Sequence, residues 1–97
     1  MPFVLLRLDS RQVFTCMLVN HYNLEYYGVK FWEDREEAEL QYAAFLLSKG
    51  ILEGEASQWS VSEMEENRMK ICNVKLKNDP GKLLFWDEDG TIKIQNK

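Results

Sequence analysis

The sequence predicts a single α+β domain in which an antiparallel sheet carries one main α-helix on one of its faces. Three observations predict it. One segment, at about residues 34–49, has helix-capping residues at both ends. The segments before and after it alternate, or run apolar, over strand lengths. The connections between them are short and rich in Asn, Asp, Gly and Pro. The expected order is βββαββββ, with about five to seven strands in the sheet. A chain of 97 residues, 45 % of them hydrophobic, forms one globular unit over residues 1–97, and no linker or repeat divides it.

Residues 3–8 form a near-continuous apolar run that ends at Asp9, Ser10 and Arg11, the pattern of a central strand with both faces covered. Residues 13–19 follow with β-branched and aromatic side chains, and the short polar connection suits a hairpin. Residues 20–23 have the composition of a loop. Residues 24–32 then make a third strand, with Gly28 marking a bulge or bend.

The helix starts at Asp34, whose carboxylate can accept the backbone N–H of Glu37 while the Glu37 side chain reaches back, as in a capping box. Glu36, Glu37 and Glu39 sit where the helix dipole favours negative charge. The helix stops at Gly50, which can take the left-handed C′ conformation, with Ile51 packing back on Leu46. Ala38, Tyr42, Phe45 and Leu46 make one apolar stripe. Leu40, Ala43, Ala44 and Leu47 make a second. With no other helix expected, the second stripe needs a cover: the sheet curling round it, the following segment 51–56 folding over it, or another copy of the protein. Leu40, Ala44 and Leu47 are the expected interface residues on the last of these.

The last third reads as β. Residues 58–62 alternate, and 65–67 turn the chain. Residues 69–71 open a further alternating run that slips at Cys72 and Asn73 and resumes over 74–77 on the other parity, so a bulged strand is expected there. Residues 78–81 form a turn. Residues 83–86 and 91–94, joined by Asp87, Glu88, Asp89 and Gly90, form the clearest hairpin.

The chemistry-bearing residues are sparse. His21 is the only histidine, so a multi-histidine metal site is excluded, and there is no C-x-x-C pair for zinc. Cys16 and His21 lack an acidic orienter and have no reason to face each other. Both Cys16 and Cys72 lie in apolar stretches and read as buried, reduced thiols. The Asp87–Gly90 segment lacks the flanking ligands of a calcium loop, the glycines are too dispersed to cradle a phosphate, and the helix dipole accounts for the clustered carboxylates of residues 33–39. No cofactor and no metal is expected.

The net charge of −4 is uneven: residues 25–66 hold 11 acidic side chains against Lys30, Arg35 and Lys49, while residues 67–97 hold seven basic against four acidic. Arg68, Lys70, Lys75, Lys77 and Lys82 near Phe85 and Trp86 have the residue types of a base-stacking surface, but an acidic chain disfavours nucleic acid. Residues 1–7 make a poor signal peptide, and nothing nears the roughly 20 apolar residues of a membrane span, so a cytoplasmic location is expected. These readings give a small acidic protein without catalysis of its own that binds a protein partner and self-associates, a dimer being favoured. The alternative is a small-molecule-binding module with an aromatic pocket between helix and sheet, lined by Tyr27, Trp59 and Trp86.

Overall fold

Strand β1 (Phe3–Arg7) is the axis of the fold in the computed structural model, which describes residues 1–97. Val4, Leu5 and Leu6 are all buried, so both faces of β1 are covered, as its uninterrupted apolar run predicts. On one edge it pairs antiparallel with β6 (Trp59–Glu63) over its full length. Two short strands lie end to end on the other edge. They are β2 (Gln12–Val13), with Val13 opposite Leu6, and β5 (Phe31–Trp32), with Trp32 opposite Phe3. β2 also pairs with β7 (Lys82–Trp86), and β7 with β8 (Ile92–Asn96), which completes a six-stranded antiparallel sheet.

Between β2 and β5 the chain leaves this sheet as a two-stranded ribbon, β3 (Thr15–Val19) and β4 (Glu25–Val29). The expected strands 13–19 and 24–32 are therefore each split at one level, Phe14 and Lys30. There the Phe14 N–H donates to the Leu5 carbonyl at 2.9 Å, and the Phe14 carbonyl accepts the Lys30 N–H at 3.4 Å. Phe14 thus hands the strand from β1 to β4.

Helix α1 (Arg35–Ser48) has the caps the sequence predicts. The Asp34 carboxylate accepts the Glu37 N–H at 3.2 Å. At the other end Gly50 has φ +86°, the Gly50 N–H donates to the Leu47 carbonyl and the Ile51 N–H to the Leu46 carbonyl, both at 3.1 Å, which is the Schellman arrangement. The Glu37 carboxylate does not reach back to Asp34; it accepts from Gln41, whose own carbonyl holds the indole N–H of Trp32 at 3.0 Å. A short helix α2 (Glu53–Ala56) follows where only a covering segment was expected.

The α+β class and the antiparallel sheet agree with the sequence reading; residues 69–77 do not. They belong to a second long helix, α3 (Glu66–Leu76), not to a bulged strand. Met69, Cys72 and Leu76 are its buried residues, a spacing of three and four that only a helix places on one face. The slip in alternation at Cys72 and Asn73 is this helical period read as two strand parities. Lys77 and Asn78, at φ +54° and +55°, end the helix in the left-handed region without a glycine to announce it.

The two long helices lie on opposite faces of the sheet. Leu5, Phe14, Trp32, Ala38, Leu46, Ala56 and Trp59 form the core under α1. Val4, Leu6, Val13, Tyr27, Val29, Met64, Met69, Cys72, Leu76 and Leu84 form the core under α3. Alternate side chains of β1 feed the two cores, so a one-sided helix layer is replaced by a helix on each side. No helix is long and apolar enough to cross a membrane.

α3 also closes the free edge of β4. The Tyr27 N–H donates to Asn78 Oδ1 at 2.6 Å and the Val29 N–H to Asn73 Oδ1 at 3.0 Å, so two asparagine side chains stand where another strand would pair. Gly28, between them, is a close-approach position, because a Cβ there would come within 2.8 Å of Asn73 Oδ1; of the bulge or bend expected at this residue, the unbroken pairing with Cys16 excludes the bulge. Replacing Asn73 by Ala strands the N–H of the buried Val29. The expected cost is about 1–3 kcal/mol, measured by urea denaturation, with accelerated hydrogen exchange confined to the ribbon.

Candidate interaction surface

The second apolar stripe of α1 stays outside. Leu40 is 79 % exposed and Leu47 49 % exposed, and Ala43 and Ala44 are exposed with them. On a helix wheel of about 100° per residue, Leu40, Ala44 and Leu47 lie opposite Ala38, Tyr42 and Phe45, which face the sheet. Neither the sheet nor α2 reaches round to them. The sheet is held to the inner face by Ala38 and Leu46, and α2 takes its place beside the helix by burying Ala56 in the same core. Of the three covers the sequence leaves open, neither of the two within the chain hides Leu40, and Leu47 stays half-exposed. Glu36 and Glu37 flank Leu40 at the start of the stripe, where the helix dipole stabilises them.

The three aromatic residues expected to share a pocket are not brought together. Tyr27 lies in the core under α3 and Trp59 in the core under α1, with β1 between them. The Tyr27 hydroxyl, which receives a hydrogen bond from Thr15 Oγ1 at 2.6 Å, donates to the Lys82 carbonyl at 2.7 Å. It ties β7 to the ribbon at the point where β3 leaves the sheet. Trp59 meets Phe14 edge to face, with centroids 5.5 Å apart, and fills the place of a ligand with protein. Trp86 is half-buried against the α3 core and faces a surface cleft of about 320 Å³. That cleft lies among Met1, Arg11, Glu65 and Arg68. Its guanidinium groups are already engaged: Arg11 Nε donates to the Trp86 carbonyl at 3.1 Å, and Arg68 donates to the Gly90 carbonyl.

The hairpin residues that resemble a calcium loop in composition hold the β7–β8 turn. Asp87 pairs with Lys93 at 2.8 Å, and Asp89 accepts the Thr91 N–H at 2.9 Å, which holds the Asp89 carboxyl below the usual carboxylate range. No group of three or more His, Cys, Asp and Glu side chains converges as a metal site would require. His21 is exposed at the tip of the ribbon, where its ring lies 3.9 Å from that of Tyr22. With Leu18, Tyr26, Lys30 and Phe31 it borders a second open cleft of about 490 Å³. Cys16 sits further down the ribbon, half-buried at the margin of the α1 core, with no hydrogen bond to His21. Burial pushes the Cys16 thiol upward, and pushes the fully buried Cys72 thiol up to about 11. Both therefore stay protonated at neutral pH, the opposite of what a nucleophile needs.

One surface feature lies outside the residues singled out from sequence. Ile71 and Val74, read as strand residues, stand on the outer side of α3, 50 % and 74 % exposed. The signal that finds them is the same helical period: they fall opposite Met69, Cys72 and Leu76. No family model, curated protein or solved structure matches the chain.

Proposed function

We propose that this is a non-enzymatic binding protein that engages a protein partner, including a second copy of itself, through the outer face of α1. The observation that carries the reading is the exposure of Leu40 and Leu47 on one helical stripe with Ala43 and Ala44, on a helix whose opposite side already fills a core. A lone exposed leucine is ordinary on a protein surface, whereas a stripe of apolar side chains along one helix is a groove-fitting or helix-pairing face. The clefts give weaker support to a small-molecule role. Both are open at the surface, and the space between helix and sheet is occupied by side chains.

The test is solution mass by size exclusion with light scattering over a range of concentrations. The wild-type protein is expected to exceed the monomer mass. The Leu47→Glu variant is expected to elute as a folded monomer, because a carboxylate buried in an apolar contact without a partner costs enough to weaken association by about a hundredfold. Intact assembly in folded Leu47→Glu protein removes α1 as the surface.

A further inference from the structure

We infer that the protein associates head to tail, the outer face of α1 on one copy docking on the outer face of α3 on the next. The inference rests on the reading of α1 as an interaction surface and supplies its counterpart. On α3, Ile71 and Val74 form an exposed apolar pair. At about 100° per residue, Lys70 and Lys75 fall on the two sides of that pair. On α1, Glu36 and Glu37 stand one turn before Leu40, at the N-terminal end of the stripe. The two faces thus match in chemistry, apolar centre against apolar centre, and oppose in sign.

None of the charges that would meet is held in an ion pair within the chain, although Glu37 also accepts a hydrogen bond from Gln41. The ion pairs within the chain are Arg7–Asp9, Lys82–Asp79 and Lys93–Asp87, and none involves Glu36, Glu37, Lys70 or Lys75. A two-fold contact through α3 alone gathers four lysines around one apolar contact, and a parallel one through α1 alone places glutamate against glutamate. Both are penalised relative to the mixed contact. α1 and α3 cover opposite faces of one sheet, so a single molecule cannot bring its own two stripes together. Each copy then offers one face of each kind, and docking one pair leaves one of each still open. Such a heterologous contact continues past two chains, into a ring or a filament.

Complementary single-face variants test this. At low salt and rising concentration the wild-type mass should climb past that of two chains, and it should fall back as salt screens the charges. Leu40→Glu/Leu47→Glu and Ile71→Glu/Val74→Glu proteins should each be monomeric. Mixed in equal amounts they should form a complex of two chains and no more, since each retains the face the other lacks. Lys70→Glu/Lys75→Glu leaves the apolar pair in place and should also lose at least about tenfold in association. Circular dichroism confirms that each variant is folded. If folded Ile71→Glu/Val74→Glu and Lys70→Glu/Lys75→Glu proteins associate like wild type, the α3 assignment is overturned and the α1 reading stands. A wild-type protein that stays monomeric at every concentration and salt level overturns both.

Discussion

Phe14→Ala is expected to destabilise the protein by about 3–5 kcal/mol, a large part of the roughly 5–15 kcal/mol available to a domain of this size. Three features put the effect at the upper end for a single substitution. Phe14 is 8 % exposed, and its ring meets two other rings edge to face: Phe45 at 5.6 Å and 82°, and Trp59 at 5.5 Å and 84°. Phe45 in turn meets Trp32 at 5.7 Å, so removing Phe14 takes out the middle of an aromatic chain that joins β6, α1 and β5. Its backbone is also the point where the strand passes from β1 to β4, and the packed ring holds that bend in place. Truncation leaves a cavity that rigid neighbouring rings fill poorly, and the lost edge-to-face contacts add to the lost burial. Urea denaturation followed by tryptophan fluorescence measures the change, since Trp59 and Trp32 both belong to this cluster. A loss below about 1 kcal/mol would mean that the cluster repacks and that the ribbon, not the ring, sets the bend.

How much of this was legible in the sequence differs from element to element, for physical reasons. α1 was legible nearly to the residue because its end signals are local: an aspartate three residues before the N–H it caps, and a glycine that alone takes φ +86° without strain. The β7–β8 hairpin was legible for the same reason, through Asp87 to Gly90. β1 announced its central place because a strand with both faces buried shows no polar alternation. α3 was missed because Glu65 makes no side-chain cap bond and Lys77, not a glycine, takes the left-handed position at its end. Its stripe is also thin. Met69, Cys72 and Leu76 face inward while Ile71 and Val74 face outward, so apolar residues at 69, 71, 74 and 76 imitate two strand parities.

The candidate surface followed a different logic. Leu40, Ala44 and Leu47 could be named from the sequence because their exposure depends only on helix geometry once the inner stripe is known. Tyr27, Trp59 and Trp86 could not be sorted among themselves, since aromatic content says that a residue is buried and not which side of the sheet buries it. That sorting is set by β1, whose Val4 and Leu6 point to one core and Leu5 to the other. The α3 surface became visible only once the helix did, because the bulged strand expected there puts Ile71 and Val74 on the same face as Met69 and Leu76, whereas the helix turns them away from those two.

Leu46→Ala and Leu47→Glu, adjacent on α1, are expected to separate folding from association. Leu46 is fully buried with Ala38 and Trp59 in one core, and its carbonyl accepts the Ile51 N–H that closes the helix. Its truncation should cost about 2–5 kcal/mol, with the cavity term large because Trp32, Phe14 and Trp59 are stiff and cannot collapse into the space. Alanine keeps the helix propensity and the backbone cap, so the loss reports packing alone. Leu47 lies about 100° round the helix, half-exposed, and a glutamate there meets water in the monomer; its effect on monomer stability should stay within about 0.5 kcal/mol. The two variants should therefore move different observables. Leu46→Ala should shift the urea midpoint while the fraction that remains folded associates like wild type. Leu47→Glu should keep the monomer's midpoint and lose the assembly. Loss of more than about 1 kcal/mol in the Leu47→Glu monomer would show that this leucine serves the core of its own chain, and the outer face of α1 would then have to be reassigned from partner binding to folding.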